Sequence, residues 1–313
     1  MTESRFPDPR LLTFPDAERS PLSIRAKALV FIDPRSRRLR ERVEQLAATP
    51  LPVLIVGETG TGKELLARHL HGRSERGGLF VPVSCGAISA TRGEAELFGY
   101  SMGTHRASAA SRAGWFGSAN GGTLYLDEIG DLPLGLQASL LAALESGETR
   151  RVGASRAMPV DVRLIAATSI DLALAVEAGK FDESLYRYLR AAQVDLPPLR
   201  ERPGDILPLA EYFLGIHAQR LGLALPLIGD AAQRVLERHS WPGNTRELEN
   251  VIHFALLVSR GETLLPEHFN LPEPLTQLET LLARLQTDPD RTRLLALQHL
   301  LRQADARLTE ALR

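Results

Sequence analysis

The chain has 313 residues, of which 44% are hydrophobic and 24% charged, and a formal net charge of −1. These values suit a globular protein of one or two domains with a sizeable core, and they leave no global basic field for nucleic acid, so any such contact needs a local patch. A single cysteine, Cys85, excludes an intramolecular disulfide and fits a reducing cytoplasm, and no apolar run approaches membrane-span length or forms a signal-peptide core.

Residues 1–23 carry Pro7, Pro9, Pro15 and Pro21 among polar residues and read as an extended arm, too short for a sensing domain. Strand-like and helix-like segments then alternate. Strands are predicted at 52–56, 79–84, 122–127, 161–167 and 192–196, and helices at 63–72, 134–146, 171–178 and 182–190. Such alternation argues for a mainly parallel sheet covered on both faces. The first strand runs into Gly57-Glu58-Thr59-Gly60-Thr61-Gly62-Lys63-Glu64. Apolar strand, glycine loop and helix start form a P-loop. The glycines let successive backbone N–H groups turn toward phosphate at a helix N-terminus, and Lys63 would reach the outer phosphates. Glu64 stands where most P-loops place a hydroxyl on magnesium, so the metal must be held elsewhere. The strand 122–127 supplies a candidate, because it ends in Asp127 and Glu128 as a Walker B pattern does. There Asp127 would hold the Mg²⁺ shell and Glu128 would polarise the attacking water. Cys85 sits in an apolar run and reads as a buried, inert thiol. In 134–146, Leu136, Leu140, Leu141 and Leu144 form an apolar stripe at helical spacing, which reads as core.

From Gly204 the pattern is all-helical, with helices predicted at 205–221, 229–239 and 244–259. Pro242-Gly243 is a turn, and Asn244 or Thr245 can cap the helix after it. Residues 261–274, with three prolines, read as a linker. A last helix-like stretch, 290–304, carries Leu294, Leu295, Leu297, Leu300 and Leu301.

Six motifs stand in order along the chain: the P-loop, Glu96 to Gly99 (ELFG), Gly121 to Pro133 (GGTLYLDEIGDLP), Val162 to Thr168 (VRLIAAT), Leu196 to Ile206 (LPPLRERPGDI) and Trp241 to Asn250 (WPGNTRELEN). Over roughly residues 24–272 the chain resembles the AAA+ domain of the sigma-54-dependent transcription activators. The resemblance implies an α/β AAA+ P-loop NTPase with a parallel five-stranded sheet and a small all-helical lid. Its divisions would be an arm at 1–23, the nucleotide-binding part at 24–203, the lid at 204–260, the linker at 261–274 and C-terminal helices at 275–313. It further implies ATP and Mg²⁺ as ligands, residues Gly57 to Glu64 as the binding loop, Arg246 as the sensor II arginine reaching the nucleotide, a ring-forming oligomer, and sigma-54 RNA polymerase as partner. The alternative for Arg246 is a surface arginine paired with Glu249, three residues on.

The departures from that family are equally specific. Where the family carries its GAFTGA loop, this chain reads Gly103-Thr104-His105-Arg106-Ala107-Ser108. A His–Arg tip cannot reproduce the burial of an aromatic ring, worth roughly 1.5–3 kcal/mol. The segment Phe181 to Leu189 places Asp182 and Tyr188 at the family's two trans-acting arginines, while Arg187 is one residue out of register and Arg190 is another candidate. An arginine finger can be worth roughly 10³–10⁵ in rate. Ser84 replaces the asparagine that pairs with the Walker B glutamate, and Ser169 replaces the sensor I asparagine beside the retained Thr168. After 290–304 only nine residues follow, Asp305 to Arg313, so the turn and recognition helix of a Fis-like reader are not expected. The reading is an ATP-binding regulator of sigma-54-dependent transcription with weakened ATPase and sigma-54 coupling. Two alternatives are a non-catalytic subunit co-assembling with an intact paralogue, and an AAA+ ATPase acting on a client other than sigma-54.

Overall fold

The computed structural model describes residues 11–12, 29–101, 113–260 and 262–271, together with Leu294, Leu297, Gln298, Leu301 and Arg302. The readings placed on 103–108, and nearly all of those on 1–23 and 272–313, lie outside the described residues. The chain divides into two compact units. One comprises Leu39–Gly57 and Lys63–Leu196; the other comprises the residues up to Arg38, the loop Glu58–Gly62 and the residues from Pro197 on.

Ahead of the sheet come β1 (Leu11–Leu12) and β2 (Leu29–Val30), paired antiparallel, and α1 (Pro34–Ala47), which from Leu39 on belongs to the first unit. The first unit is built on β3 (Val53–Val56), β4 (Phe80–Ser84), β5 (Thr123–Asp127), β8 (Arg163–Thr168) and β9 (Gln193–Asp195). These form one five-stranded sheet in the order β4-β5-β8-β3-β9, and every pair in it is parallel. A parallel sheet covered on both faces needs near-continuous apolar strands rather than alternating ones. Val53-Leu54-Ile55 and Leu164 to Ala167 meet that need and are buried throughout. The shorter β6 (Glu148–Thr149) and β7 (Met158–Pro159) pair antiparallel outside this sheet.

Helices α2 (Lys63–Arg73), α3 (Gly93–Phe98), α4 (Gly114–Ser118), α5 (Leu134–Ser146), α6 (Leu172–Glu177) and α7 (Glu183–Leu189) connect the strands. Of the predicted leucine stripe on α5, Leu136 and Leu140 are buried, and Leu141 and Leu144 pack half-buried on the same core as Leu124, Leu126 and Leu164. Gly147 ends α5 in the left-handed region (φ 65°), where its N–H reaches the Ala143 carbonyl, a conformation that costs glycine nothing. Cys85 is fully buried, and burial followed by the nearby Asp127, Asp131 and Glu128 charges pushes its thiol well above the usual range. That is the inert thiol expected.

The second unit is helical. It contains α8 (Ile206–Leu221), α9 (Asp230–Arg238) and α10 (Asn244–Ser259), around a core of Leu209, Phe213, Trp241, Leu248 and Ile252. Trp241 is fully buried, and its indole N–H is satisfied by the Leu236 carbonyl at 2.9 Å. The cap of α10 differs from the one its sequence predicts. The N-cap is Gly243, with no side-chain cap bond, and neither Asn244 nor Thr245 serves as one. Asn244 is already in the helix at φ 54°, a left-handed conformation that turns its amide elsewhere. The Glu247 carboxylate accepts the Gly243 N–H instead, at 2.7 Å. Among the described residues no helix is long and apolar enough to cross a membrane.

Candidate nucleotide site

In the sheet unit the candidate residues gather at the carboxyl ends of the parallel strands, where open α/β sheets bind ligands. Val56 of β3 is in register with Thr168 of β8, and Ser84 of β4 with Asp127 of β5. Beyond β3, the Gly57 N–H donates to the Thr168 carbonyl at 3.1 Å, which ties the start of the glycine loop to the sheet. Lys63 opens α2. Its stem is buried, and its Nζ donates to the Gly57 carbonyl at 2.9 Å and pairs with Glu128 Oε1 at 2.9 Å. The predicted loop lysine and the second Walker B acid are therefore brought together.

Glu128 is held firmly. Its backbone is left-handed (φ 49°, ψ 62°), a conformation that costs a non-glycine residue roughly 1–3 kcal/mol. Its Oε2 accepts from the Ser169 N–H at 2.8 Å and the Ser169 hydroxyl at 2.9 Å. The glutamate's serine partner is thus Ser169, just past β8, and among the described residues no bond from Ser84 enters this arrangement. A shorter hydroxyl suffices because the strand end itself brings Ser169 within reach. Two residues earlier, Tyr125 is buried in β5 and its hydroxyl donates to Asp127 Oδ1 at 2.8 Å. Residues i and i+2 of a strand share a face, which is how the pair meets. Asp131 lies close enough that burial, then the Glu128 and Asp127 charges, raise its carboxyl above the ordinary range.

These residues fit a magnesium ion shared with phosphate. Mg²⁺ keeps several waters and takes one or two carboxylates plus phosphate oxygens rather than a protein cage. Asp127 offers such a carboxylate, and no cluster of three or more His, Cys, Asp or Glu capable of holding a metal occurs among the described residues.

In the helical unit, Gly60 sits at φ 81°, and a Cβ there would collide with the Gly243 carbonyl oxygen, so the loop requires glycine at that point. Thr61 closes the loop on itself: its hydroxyl donates to the Glu58 carbonyl at 2.7 Å. Arg246 is exposed in the first turn of α10, with its backbone N–H on the Gly60 carbonyl at 3.3 Å. Glu64, by contrast, faces solvent and pairs with Arg68 one turn along α2 at 2.8 Å.

The residues expected at the family's trans arginines make other contacts. Asp182 is the N-cap of α7, its Oδ1 accepting the Leu185 N–H at 2.7 Å, and its own N–H donates to Gln137 Oε1 at 2.7 Å. Tyr188 is half-buried; burial, then the Glu145 charge, raises its phenol pKa. Arg187 is exposed and paired with Glu183 at 2.7 Å, and the Arg190 guanidinium lies over the Tyr186 ring, 5.4 Å from its centre.

Comparison with known proteins agrees with the fold. The Sigma-54 interaction domain family matches residues 29–195, and the AAA+ ATPase lid domain family matches residues 200–280. The chain is 49% identical over 253 residues to the sigma54-dependent transcriptional regulator SfnR of Pseudomonas fluorescens, covering 80% of this chain and 69% of that protein. It is 44% identical over 247 residues to the response regulator protein FleR of Pseudomonas aeruginosa, covering 79% of this chain and 52% of that protein. The crystal structure of NtrX from Brucella abortus in complex with ADP is similar with a TM-score of 0.72 at 32% identity, over 88% of this chain and 66% of that one. The same protein in complex with ATP gives a TM-score of 0.71, over 91% of this chain and 71% of that one. With its parallel sheet, its P-loop and its helical lid, the chain belongs to the sigma-54 interaction domain family of AAA+ proteins, whose relatives are sigma-54-dependent transcriptional regulators.

Proposed function

We propose that this chain binds ATP with Mg²⁺ and regulates sigma-54-dependent transcription, with hydrolysis and sigma-54 coupling weaker than in relatives that keep the arginine pair and the GAFTGA loop. The observation that carries the nucleotide reading is the meeting of Lys63 and Glu128 at the strand ends. The complexes of NtrX with ADP and ATP support it. In this reading Gly57 to Gly62 cradle the phosphates, Lys63 holds the outer ones, and Arg246 reaches the nucleotide from α10. Asp127 would hold the metal's water shell, and Glu128 would polarise the attacking water. Bound Mg²⁺ supplies charge neutralisation at the phosphate oxygens. Phosphate at Lys63 competes for the ammonium and releases Glu128 Oε1, which can then accept a proton from the attacking water, while Ser169 keeps the other oxygen in place.

Turnover is the weak step. Asp182 is committed to capping α7 and carries negative charge where the family places a cation, and Arg187 is turned to Glu183. The same observation favours a second reading, a non-catalytic subunit that joins the ring of an intact paralogue. The proposed organisation is a nucleotide-binding part at 24–203, a lid at 204–260, a linker at 261–274 and C-terminal helices at 275–313. One experiment separates the readings: nucleotide binding and phosphate release measured on the same preparation, alone and mixed with a complete family member. ATP binding with slow release supports the proposal. A normal family rate from the protein alone would remove the weakened-turnover part, and a mixture slower than its active component alone would select the subunit reading.

A further inference from the structure

A carboxylate in a phosphate loop opposes the charge that the loop is built to hold. Glu58 is such a carboxylate, and its side chain is only 10% exposed. The turn Leu199–Glu201 and the start of α10 offset it. Arg200 grips Glu58 with both guanidinium nitrogens, Nη1 to Oε2 at 2.8 Å and Nη2 to Oε1 at 2.5 Å, and is itself 6% exposed. Asn244 adds its amide N–H to Oε2 at 3.1 Å and to the Thr59 carbonyl at 3.2 Å, while its own oxygen accepts the Leu199 N–H at 2.8 Å. The Thr245 hydroxyl donates to the Gly60 carbonyl at 2.5 Å, and Arg202 Nη2 donates to the Thr61 carbonyl at 3.1 Å.

The carbonyls of three successive loop residues are thus all tied from one side. In a trans peptide the carbonyl and the following N–H point in opposite directions. Binding the Thr59 and Thr61 oxygens to these donors therefore turns the N–H groups of Gly60 and Gly62 the other way, as an anion nest requires, while the Thr61 N–H between them donates back to the Glu58 carbonyl at 3.3 Å. We infer that Arg200 and Asn244, assisted by Thr245, are positioning residues for nucleotide: they neutralise Glu58 and hold the loop's carbonyls so that its amides face phosphate. This inference rests on the nucleotide reading above.

The buried ion pair makes a charge-specific test possible. Removing one partner of such a pair leaves an uncompensated charge, whereas removing both does not. Affinities for ATP and ADP are measured by calorimetry on wild type, Arg200→Met, Glu58→Gln and the double variant, with melting temperatures taken without nucleotide. Arg200→Met should weaken ATP by roughly tenfold or more, the size expected for losing a hydrogen bond to a charged group, and weaken ATP more than ADP. Adding Glu58→Gln should return the affinity to within about threefold of wild type, because the repelling carboxylate is gone. Equal affinity in Arg200→Met, or a double variant that melts like wild type but still binds weakly, overturns the inference. Thr245→Val serves if Arg200→Met does not fold. It removes one half-buried hydroxyl, and should cost nucleotide roughly three- to tenfold with little change in melting; unchanged affinity there overturns the inference as well. Wild type that binds neither nucleotide fails the nucleotide reading itself, and the inference with it, which is distinct from variants that bind as wild type does.

Discussion

Tyr125→Phe isolates one atom of the site. The variant keeps the ring, which stacks on Phe80 with centres 5.7 Å apart, and deletes only the hydroxyl that donates to Asp127. A hydrogen bond to a charged acceptor is worth about 1.5–3 kcal/mol, but two effects reduce the net loss. The buried phenol no longer has to be desolvated, and Asp127, which is only half-buried, regains water on the freed oxygen. A destabilisation of about 1–1.5 kcal/mol remains, which in a unit of this size lowers the melting temperature by about 2–6 °C. The sharper consequence concerns the metal. With Oδ1 fixed by Tyr125, the Asp127 carboxylate presents its other oxygen in one orientation, and partners that orient a metal-holding group typically contribute about tenfold or more to affinity. Magnesium titrations of nucleotide binding should therefore shift to roughly tenfold higher concentration in Tyr125→Phe, while metal-free ADP binding changes little. A magnesium curve that superimposes on that of wild type would refute the assignment of Tyr125 as a positioning group for Asp127, whatever the melting temperature does.

Three further expectations follow from the same geometry. Lys63→Ala should abolish ATP binding in calorimetry, since it removes the only side-chain cation the glycine loop contributes and leaves Glu128 Oε1 without its ion-pair partner; retained affinity would remove the P-loop assignment. Asp182→Arg with Tyr188→Arg should raise phosphate release, yet it should also cost about 1 kcal/mol of stability, because Asp182 caps α7; both readouts come from one preparation. Acid should destabilise the helical unit through His217, whose pKa is lowered to about 4 by burial first and then by His253, stacked 4.3 Å away, and Arg220. A depressed folded-state value means that protonation favours unfolding, so stability is complete above about pH 6.5 and is lost as the pH falls toward 4, by at most roughly 3 kcal/mol. Glu249 Oε1, 3.7 Å from Nε2, offsets part of it. Melting of His217→Gln across that range should be flatter than that of wild type.

The parts of the fold that were legible in the sequence are those set by local pattern. Val53 to Val56 before the glycines, the leucine spacing of 134–146 and the acid pair after an apolar strand each carry their structure within a few residues, and each lies where it was expected. The partners of the site were not legible, because they depend on sheet order and on long-range approach. Ser169 reaches Glu128 only because β8 lies beside β5, and Arg200 meets Glu58 across 142 residues. Asn244 misled for a local reason: a polar residue after Pro-Gly normally caps, but the left-handed backbone at Asn244 sends its amide to Glu58 and Thr59.

Asp182 joins the two levels. At a helix start, an aspartate accepts an N–H of the first turn and suits the helix dipole, whereas an arginine there can do neither. The Asp182 bond to Leu185 N–H is that interaction. The exchange of a cation for aspartate therefore stabilises α7 locally by about 1 kcal/mol while withdrawing charge from any neighbouring phosphate. A chain under demand for fast phosphoryl transfer would be expected to forgo so small a local gain, since the finger it displaces can be worth roughly 10³–10⁵ in rate. That Asp182 caps α7, with Arg187 turned to Glu183 on the same helix, is the physical ground for the proposal that nucleotide binding and rapid turnover are separable here.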